Sequence, residues 1–308
     1  MKNRRTLALA VSMFCLGQGH LAAEAKSPGL MQKLENISYW PGADASDRAH
    51  LLSLFTPKDK EKEKSFPLII YVHGGAWTAR PNPGTIPAWV PQFVKSGYAV
   101  AVVNYRLAQE GIFSSQMEDL NSALRYLKSN ADKLHVDGGH IGLWGTSAGG
   151  HLVALMGTSA VSPVLNMGGD QSVSRDVQAV CDMAGPTNLF ELGTKVYPLK
   201  QWDTSTSGAS LSLLLGGTAA SQIARALEAS PDTYVSPANP PFLIIHGIND
   251  AVVPVEQSDL LVEKLQKAGV KTTYMRLPKS GHDVEKGRNI DAALHFFDQY
   301  LKAEKGSK

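Results

Sequence analysis

Six short apolar runs alternate along the chain with longer segments of helical periodicity. The runs are rich in β-branched residues and occupy residues 68–72, 99–103, 140–144, 177–183, 242–245 and 272–277. Between them, apolar side chains recur at three- and four-residue spacing, as in residues 117–127 and 260–265, with charged residues at the opposite positions. This alternation predicts an α/β fold whose central sheet is mostly parallel and carries helices on both faces.

Two regions depart from this rhythm. Residues 37–40 and 50–55 are predicted to be two strands joined by the polar turn 43–48, which suits an antiparallel edge of the sheet. Residues 187–235 contain a Gly/Ser/Thr-rich stretch and then an apolar run, and we interpret them as a small cap inserted over the sheet. Within this insertion, Tyr197, Trp202 and residues 213–215 are candidates for lining a pocket.

The first 25 residues are typical of a removable export signal. Lys2, Arg4 and Arg5 precede an apolar run over residues 7–16, and small residues surround Ala25, where a signal peptidase would cut. An apolar run of about ten residues is too short to span roughly 30 Å of hydrocarbon. We therefore expect a secreted or periplasmic protein with a single domain over residues 26–308 and no transmembrane segment after the signal is removed.

Composition limits the classes of partner. A chain that is 43% hydrophobic and 19% charged has the material for a packed core, which disordered chains lack. Of 30 basic and 28 acidic residues, the signal holds three and one, which leaves 27 of each in the mature chain. This balance gives no support for nucleic-acid binding, which needs a clustered basic face. Only Cys181 remains after cleavage, so we expect a buried thiol and no intramolecular disulfide.

A G-x-S-x-G motif follows one of the predicted strands. Gly145, Ser147 and Gly149 come directly after residues 141–144 and before the helix-compatible run 150–156. In this strand-turn-helix context the motif predicts a sharp turn that exposes the serine hydroxyl above the sheet. Ser147 is therefore the candidate nucleophile.

A glycine-containing loop at residues 73–77 follows the strand 68–72, one strand-helix unit before the serine. In this architecture such a loop supplies amide groups that stabilise a developing oxyanion. We predict that the donors are the backbone N–H groups of Gly75, Ala76 and Ala148. His73 is better interpreted as a structural histidine. In folds that present a serine on a G-x-S-x-G turn, the general base is the last of the three catalytic residues in the chain.

Two further polar residues follow the last two predicted strands. Asp250 comes after residues 242–245, and His282 follows residues 272–277, which gives the order serine, acid, histidine that this fold uses. We predict that Asp250 orients His282 and that His282 is the general base for Ser147. Asp182 is an alternative orienting acid.

Two other polar residues near these positions are expected to be structural. They are Asp283, which is adjacent to the predicted base, and His151, which lies in the helix after the serine. The chain has no metal-ligand spacing and no P-loop or dinucleotide fingerprint, so no metal or cofactor is expected.

These motifs together resemble a known family. Residues 73–77, 104–107, 145–150 and 240–247, with Asp250 and His282, resemble the esterase and lipase branch of the α/β-hydrolases that has an HGG oxyanion loop. The resemblance is greatest to the hormone-sensitive-lipase-like group of bifunctional feruloyl and acetyl xylan esterases and related carboxylesterases, and it spans roughly residues 35–302. It implies hydrolysis of carboxylic esters through an acyl-enzyme. Acetyl, feruloyl and short-chain acyl substrates, including polysaccharide esters, stay open.

Two positions differ from the usual family pattern. Ala76 stands where a third glycine is frequent, and Thr146 stands where hormone-sensitive-lipase-like members often have aspartate.

Two other function classes also remain open. The same triad cleaves amides in peptidases and amidases, and a hydrolase fold can persist in a binding module that has no activity. The binding module leaves the joint presence of Ser147, Asp250 and His282 unexplained.

Overall fold

One eight-stranded sheet organises the protein. The computed structural model describes residues 31–43, 46–58, 65–197 and 206–302, with residues 206–208 described by backbone alone. The export signal, the charged run at residues 59–64 and Trp202 lie outside the described residues. The strands are β1 (Met31–Ser38), β2 (Leu51–Pro57), β3 (Phe66–Val72), β4 (Ala99–Val103), β5 (Val136–Thr146), β6 (Ala179–Met183), β7 (Phe242–Gly247) and β8 (Thr272–Leu277).

The strands lie in the order β1-β2-β4-β3-β5-β6-β7-β8. All pairings from β4 to β8 are parallel, whereas β1 pairs antiparallel with β2 and β2 antiparallel with β4. The predicted fold class, a mostly parallel sheet with an antiparallel edge, is confirmed. Because β3, β5, β7 and β8 run in the same direction, the loops that follow them all leave from one edge of the sheet.

Helices cover both faces of this sheet. In the described part of the chain they are α1 (Val90–Lys95), α2 (Ser115–Ser129), α3 (Ala131–Leu134), α4 (Ala148–Thr158), α5 (Leu189–Thr194), α6 (Thr206–Leu215), α7 (Ile223–Glu228), α8 (Glu256–Lys267) and α9 (Arg288–Leu301). Side chains of α1 and α9 pack in one apolar cluster, and those of α2, α4 and α8 pack in the other. Strand β3 contributes to both clusters, because its Leu68 and Ile70 point to one face and its Ile69 to the other.

The antiparallel edge differs in detail from the prediction. Strand β1 begins at Met31, six residues earlier than expected, because most of its residues are exposed and carry no apolar pattern that would reveal a strand. His50, which was predicted to begin β2, instead ends the 3-10 turn Arg48–His50, and β2 begins at Leu51. His50 is held in that turn by its ring nitrogens, which lie 2.7 Å from Asp47 Oδ2 and 3.2 Å from Asp119 Oδ1.

The segment between β6 and β7 contains α5, α6, α7 and the 3-10 turn Pro231–Tyr234. Leu214 and Leu215 are fully buried in the apolar core, whereas Leu213 is 46% exposed. Of these three candidates for lining a pocket, two therefore stabilise the insertion itself. Tyr197 is also buried, and its hydroxyl accepts a hydrogen bond from Gln257 Nε2 at 2.7 Å.

Cys181 lies buried in β6, where burial raises the pKa of its thiol well above the ordinary value. Across the described ranges, no helix combines the length and the apolar character needed to cross a membrane.

Candidate active site

Ser147 occupies the turn between β5 and α4 in a rare backbone conformation. Its φ is +58° and its ψ is −123°, and a strained non-glycine residue of this kind costs on the order of 1–3 kcal/mol. The surrounding structure fixes the turn, since the Ser147 amide donates to Met183 O at 2.8 Å. A Cβ on Gly149 would lie 2.0 Å from Val72 O, and a Cβ on Gly145 would lie 2.3 Å from the Gly149 carbonyl carbon. Both glycines of the motif are therefore required by close backbone approach.

The predicted acid and base meet at the same edge of the sheet. His282 Nδ1 lies 2.7 Å from Asp250 Oδ2. The other oxygen, Asp250 Oδ1, accepts the backbone amides of Val252 at 2.7 Å and Val253 at 2.9 Å. This arrangement keeps the proton of His282 on Nδ1 and leaves Nε2 free to accept a proton.

A second histidine, which sequence reasoning did not assign, also holds Asp250. His246 Nε2 lies 3.1 Å from Asp250 Oδ2 and 2.9 Å from Val253 O, and its Nδ1 lies 2.7 Å from Ser258 Oγ. Burial by itself raises the pKa of Asp250, but the hydrogen bonds from His246 and His282 outweigh it and hold that pKa well below the ordinary value. The carboxylate is therefore ionised wherever the protein is folded near neutral pH. The available signal was a histidine at the end of a buried strand, four residues before the acid.

The alternative acid does not contact the histidine. Asp182 is fully buried, and its Oδ1 accepts the amide of Gly185 at 2.9 Å while its Oδ2 has no partner among the described residues. Burial raises the pKa of Asp182 to about 6, against smaller lowering effects from His246 and the Gly185 amide. Asp283 is exposed and pairs with Lys286 at 2.7 Å. Of the three carboxylates considered, only Asp250 binds His282.

The loop after β3 lies against the serine turn. The position that a Cβ on Gly74 would occupy is 2.8 Å from Thr146 O and 3.4 Å from Ser147 Cβ. Three consecutive residues, Gly75, Ala76 and Trp77, have positive φ. Within the described part of the chain, the amides of Gly75, Ala76 and Ala148 donate to no protein acceptor. The oxyanion donors predicted from the sequence are therefore not used in hydrogen bonds within the described part of the protein.

The remaining histidines near the site are structural. His73 donates from Nδ1 to Gly74 O at 2.7 Å and stacks on Tyr105, and burial lowers its pKa to about 4. His151 accepts from Trp77 Nε1 at 3.1 Å and lies 2.7 Å from Ala229 O through Nε2. Burial lowers its pKa to about 4 as well. His151 thereby joins the glycine loop, α4 and the segment between β6 and β7.

The described hydrogen bonds include none between Ser147 Oγ and His282 Nε2. Catalytic hydrogen bonds of this kind often become short only when a substrate is bound. The structure thus joins Asp250 to His282 directly, and it brings Ser147 to the same edge of the sheet through the order of the strands. No group of three or more His, Cys, Asp or Glu side chains in the described ranges has a geometry that would hold a metal ion.

The chain is similar to a family model and to several curated proteins. Residues 52–265 match the family model described as BD-FAE. The chain is similar to Esterase LipC of Mycobacterium tuberculosis, with 30% identity over 83% of this chain and 62% of that protein. It is also similar to the probable carboxylic ester hydrolase LipM of the same organism, with 27% identity over 84% of this chain and 60% of that one. The chain therefore spans about three fifths of the length of these curated relatives.

A solved structure supports the fold assignment. The truncated form of a carbohydrate esterase from gut microbiota superposes with a TM-score of 0.75 and 28% identity, over 87% of this chain and 95% of that one.

Proposed function

Because the chain belongs to the BD-FAE family of the α/β-hydrolase superfamily, we propose that it is a serine hydrolase of carboxylic esters that forms an acyl-enzyme. The observation that carries this proposal is the Asp250–His282 hydrogen bond of 2.7 Å at the sheet edge where Ser147 occupies its strained turn. An acid that fixes a histidine tautomer, beside a serine and unoccupied amide donors, is the arrangement that acyl transfer requires.

In the first half of the proposed reaction, His282 Nε2 takes the proton of Ser147 Oγ as that oxygen attacks the ester carbonyl carbon. The carbonyl oxygen becomes negative and accepts hydrogen bonds from the amides of Gly75, Ala76 and Ala148. His282 then returns the proton to the leaving alcohol, and the acyl group stays on Ser147. Asp250 remains ionised and stabilises the imidazolium throughout.

In the second half, water replaces the alcohol. His282 takes one proton from the water as its oxygen attacks the acyl carbon, and it returns that proton to Ser147 Oγ when the carboxylic acid leaves. Net consumption is one ester and one water, and the products are one acid and one alcohol. The chemistry uses only the chain's own residues and water.

For the substrate class, we propose esters whose alcohol is a carbohydrate. The 28% identity with a carbohydrate esterase over 87% of the chain favours this choice over simple alkyl esters. Export fits a carbohydrate that the cell meets outside its cytoplasm, and the pattern of residues 1–25 supports export. Fractionation of cells that express the full chain, followed by N-terminal sequencing, tests this step. A mature protein that begins at Lys26 in the periplasm or medium supports export, and an intact cytoplasmic protein contradicts it.

The proposed activity is tested by a substrate panel on the wild type and the Ser147→Ala variant. The panel contains p-nitrophenyl acetate, butyrate and octanoate, methyl ferulate, acetylated xylan and the anilide matched to the best ester. We expect ester turnover that falls at least about 10³-fold in the variant, and we expect acetylated xylan, the carbohydrate ester of the panel, to be turned over faster than methyl ferulate, a simple alkyl ester. Faster cleavage of the anilide would indicate an amidase. Equal rates for both proteins would contradict the serine mechanism.

A further inference from the structure

Glu285 binds three segments of the chain that meet at the candidate active site. It lies three residues after His282, in the loop between β8 and α9. Its Oε1 accepts Trp89 Nε1 at 2.8 Å, and its Oε2 accepts the Tyr71 hydroxyl at 2.8 Å and the Thr146 hydroxyl. Thr146 is the residue immediately before Ser147.

Each of these contacts reaches a different part of the proposed machinery. Thr146 ends β5 and leads into the serine turn, and Tyr71 lies two residues before the glycine loop that begins at His73. Trp89 precedes α1 and stacks on Trp144 of β5, with ring centroids 4.0 Å apart. One carboxylate therefore connects the loop of the predicted base with the strand of the nucleophile and the strand of the oxyanion loop.

Glu285 is half-buried, and part of its surface is open to solvent. Burial raises the pKa of Glu285, and the hydrogen bonds from Thr146, Trp89 and Tyr71 oppose that rise. The neighbouring Lys286 pairs with Asp283 instead. A carboxylate that is partly withdrawn from water loses solvation, and its three hydrogen bonds compensate for that loss. A titratable group whose pKa is shifted in this way, at the border of a cavity, is a candidate for a functional role.

From this arrangement, and on the basis of the proposed function, we infer that Glu285 is a positioning residue. It holds the His282 loop against the Ser147 turn, so that His282 Nε2 and Ser147 Oγ align when substrate binds. Because no hydrogen bond yet joins those two atoms, their alignment depends on how the loops that carry them are held together. A misplacement of about 1 Å in such a pair is able to lower the rate roughly 10²-fold.

The test uses four single variants of the full chain and one double variant. Glu285→Ala removes all three contacts, and Thr146→Val removes only the hydroxyl contact beside the nucleophile. Glu285→Gln keeps them, since its amide oxygen accepts from Trp89 and its amide N–H groups donate to the hydroxyls of Tyr71 and Thr146. Asp283→Ala is the matched control, because Asp283 lies in the same loop but pairs only with Lys286.

We measure kcat and KM for p-nitrophenyl acetate, with competent sites counted from the burst of p-nitrophenol so that unfolded protein does not contribute. Glu285→Ala should lower kcat per site about 10²-fold, with KM within about threefold of the wild-type value. Glu285→Gln should stay within about tenfold of wild type and Asp283→Ala should match it. Thr146→Val should lie between Glu285→Ala and wild type, and combining it with Glu285→Ala should add no further loss.

A second readout separates positioning from mere stabilisation. Glu285 lines a cavity of about 680 Å³ that also borders Tyr71, His73 and Gly74. Formate that enters this cavity should raise the kcat per site of Glu285→Ala at least about tenfold. Wild-type kcat per site in Glu285→Ala, or additive losses in the double variant, would overturn the inference. If Glu285→Ala does not fold, an unchanged kcat in Thr146→Val overturns it. If the proposed function is itself wrong, the activity of Ser147→Ala will match that of the wild type. This outcome distinguishes failure of the proposed function from failure of the inference about Glu285.

Discussion

Replacing Asp250 by asparagine isolates the role of a single negative charge. The carboxylate accepts four hydrogen bonds, two backbone amides on Oδ1 and the two imidazoles of His246 and His282 on Oδ2. Asparagine has only one acceptor oxygen. If that oxygen keeps the hydrogen bonds from the backbone amides of Val252 and Val253, the NH₂ group of the asparagine faces the imidazoles of His246 and His282.

The size of the effect follows from the tautomer. An NH₂ group opposite His282 Nδ1 requires that nitrogen to accept, which moves the imidazole proton to Nε2 and removes the acceptor for the Ser147 proton. Loss of this charge in a serine-protease triad lowers kcat by about 10⁴-fold, which corresponds to about 5 kcal/mol of transition-state stabilisation. We expect a similar loss in Asp250→Asn. The protein should also lose stability, because a hydrogen bond to a charged acceptor contributes about 1.5–3 kcal/mol.

The assay is kcat/KM for the best p-nitrophenyl ester at pH 8, at a temperature where circular dichroism shows the variant to be folded. Asp182→Asn is the matched control, since Asp182 is equally buried at the end of the neighbouring strand β6 and does not touch His282. It should keep activity within about threefold. A large loss in Asp182→Asn with an active Asp250→Asn would refute the reasoning and make Asp182 the orienting acid.

Three further predictions concern stability and the glycine loop. The folded pKa of Asp182, about 6, lies above its unfolded value, so its stabilising contribution is complete below the unfolded pKa and is lost as the pH rises through 6. Between pH 4.5 and 8, the free energy of unfolding measured with urea should therefore fall by about 2 kcal/mol more in the wild type than in Asp182→Asn. An equal fall in both proteins would contradict the raised pKa of Asp182. Gly75→Ala should lower kcat about 10²-fold, because its Cβ would lie 2.2 Å from Ala79 O. Gly84→Ala is the control and should leave kcat unchanged, because Gly84 also has a positive φ but its Cβ would meet no atom within 4 Å. Trp144→Ala, in a fully buried position that stacks on Trp89, should cost about 3–5 kcal/mol in urea unfolding, and a cost below about 1 kcal/mol would contradict the packing.

The parts of the fold that sequence reasoning predicted correctly are those that local pattern determines. The parallel strands are continuous apolar runs because they are buried on both faces, as in β7. The serine turn is visible because close backbone contacts restrict Gly145 and Gly149 to glycine. The pairing of Asp250 with His282 follows from strand order, since both residues come after neighbouring strands that end at one edge.

The parts that sequence reasoning missed have three different causes. Glu285 meets Tyr71 and Thr146 across 214 and 139 positions of sequence, and nothing near Glu285 in the sequence indicates these contacts. His246 was assigned only to a strand, although its position at the end of a buried strand, four residues before Asp250, was a local signal for this contact. The start of β1 was missed since an exposed edge strand with polar side chains lacks the alternation that marks a half-buried strand.

The central claim is that Ser147 becomes acylated. Intact-mass measurement of the protein after treatment with a p-nitrophenyl alkylphosphonate tests it directly, with peptide mapping to locate the adduct and Ser147→Ala as the control. The proposed mechanism predicts one phosphonyl group per molecule, on Ser147, with loss of ester turnover in proportion to labelling and no adduct in the variant. An unlabelled wild-type protein that still turns over esters, or an adduct on another residue, would contradict it.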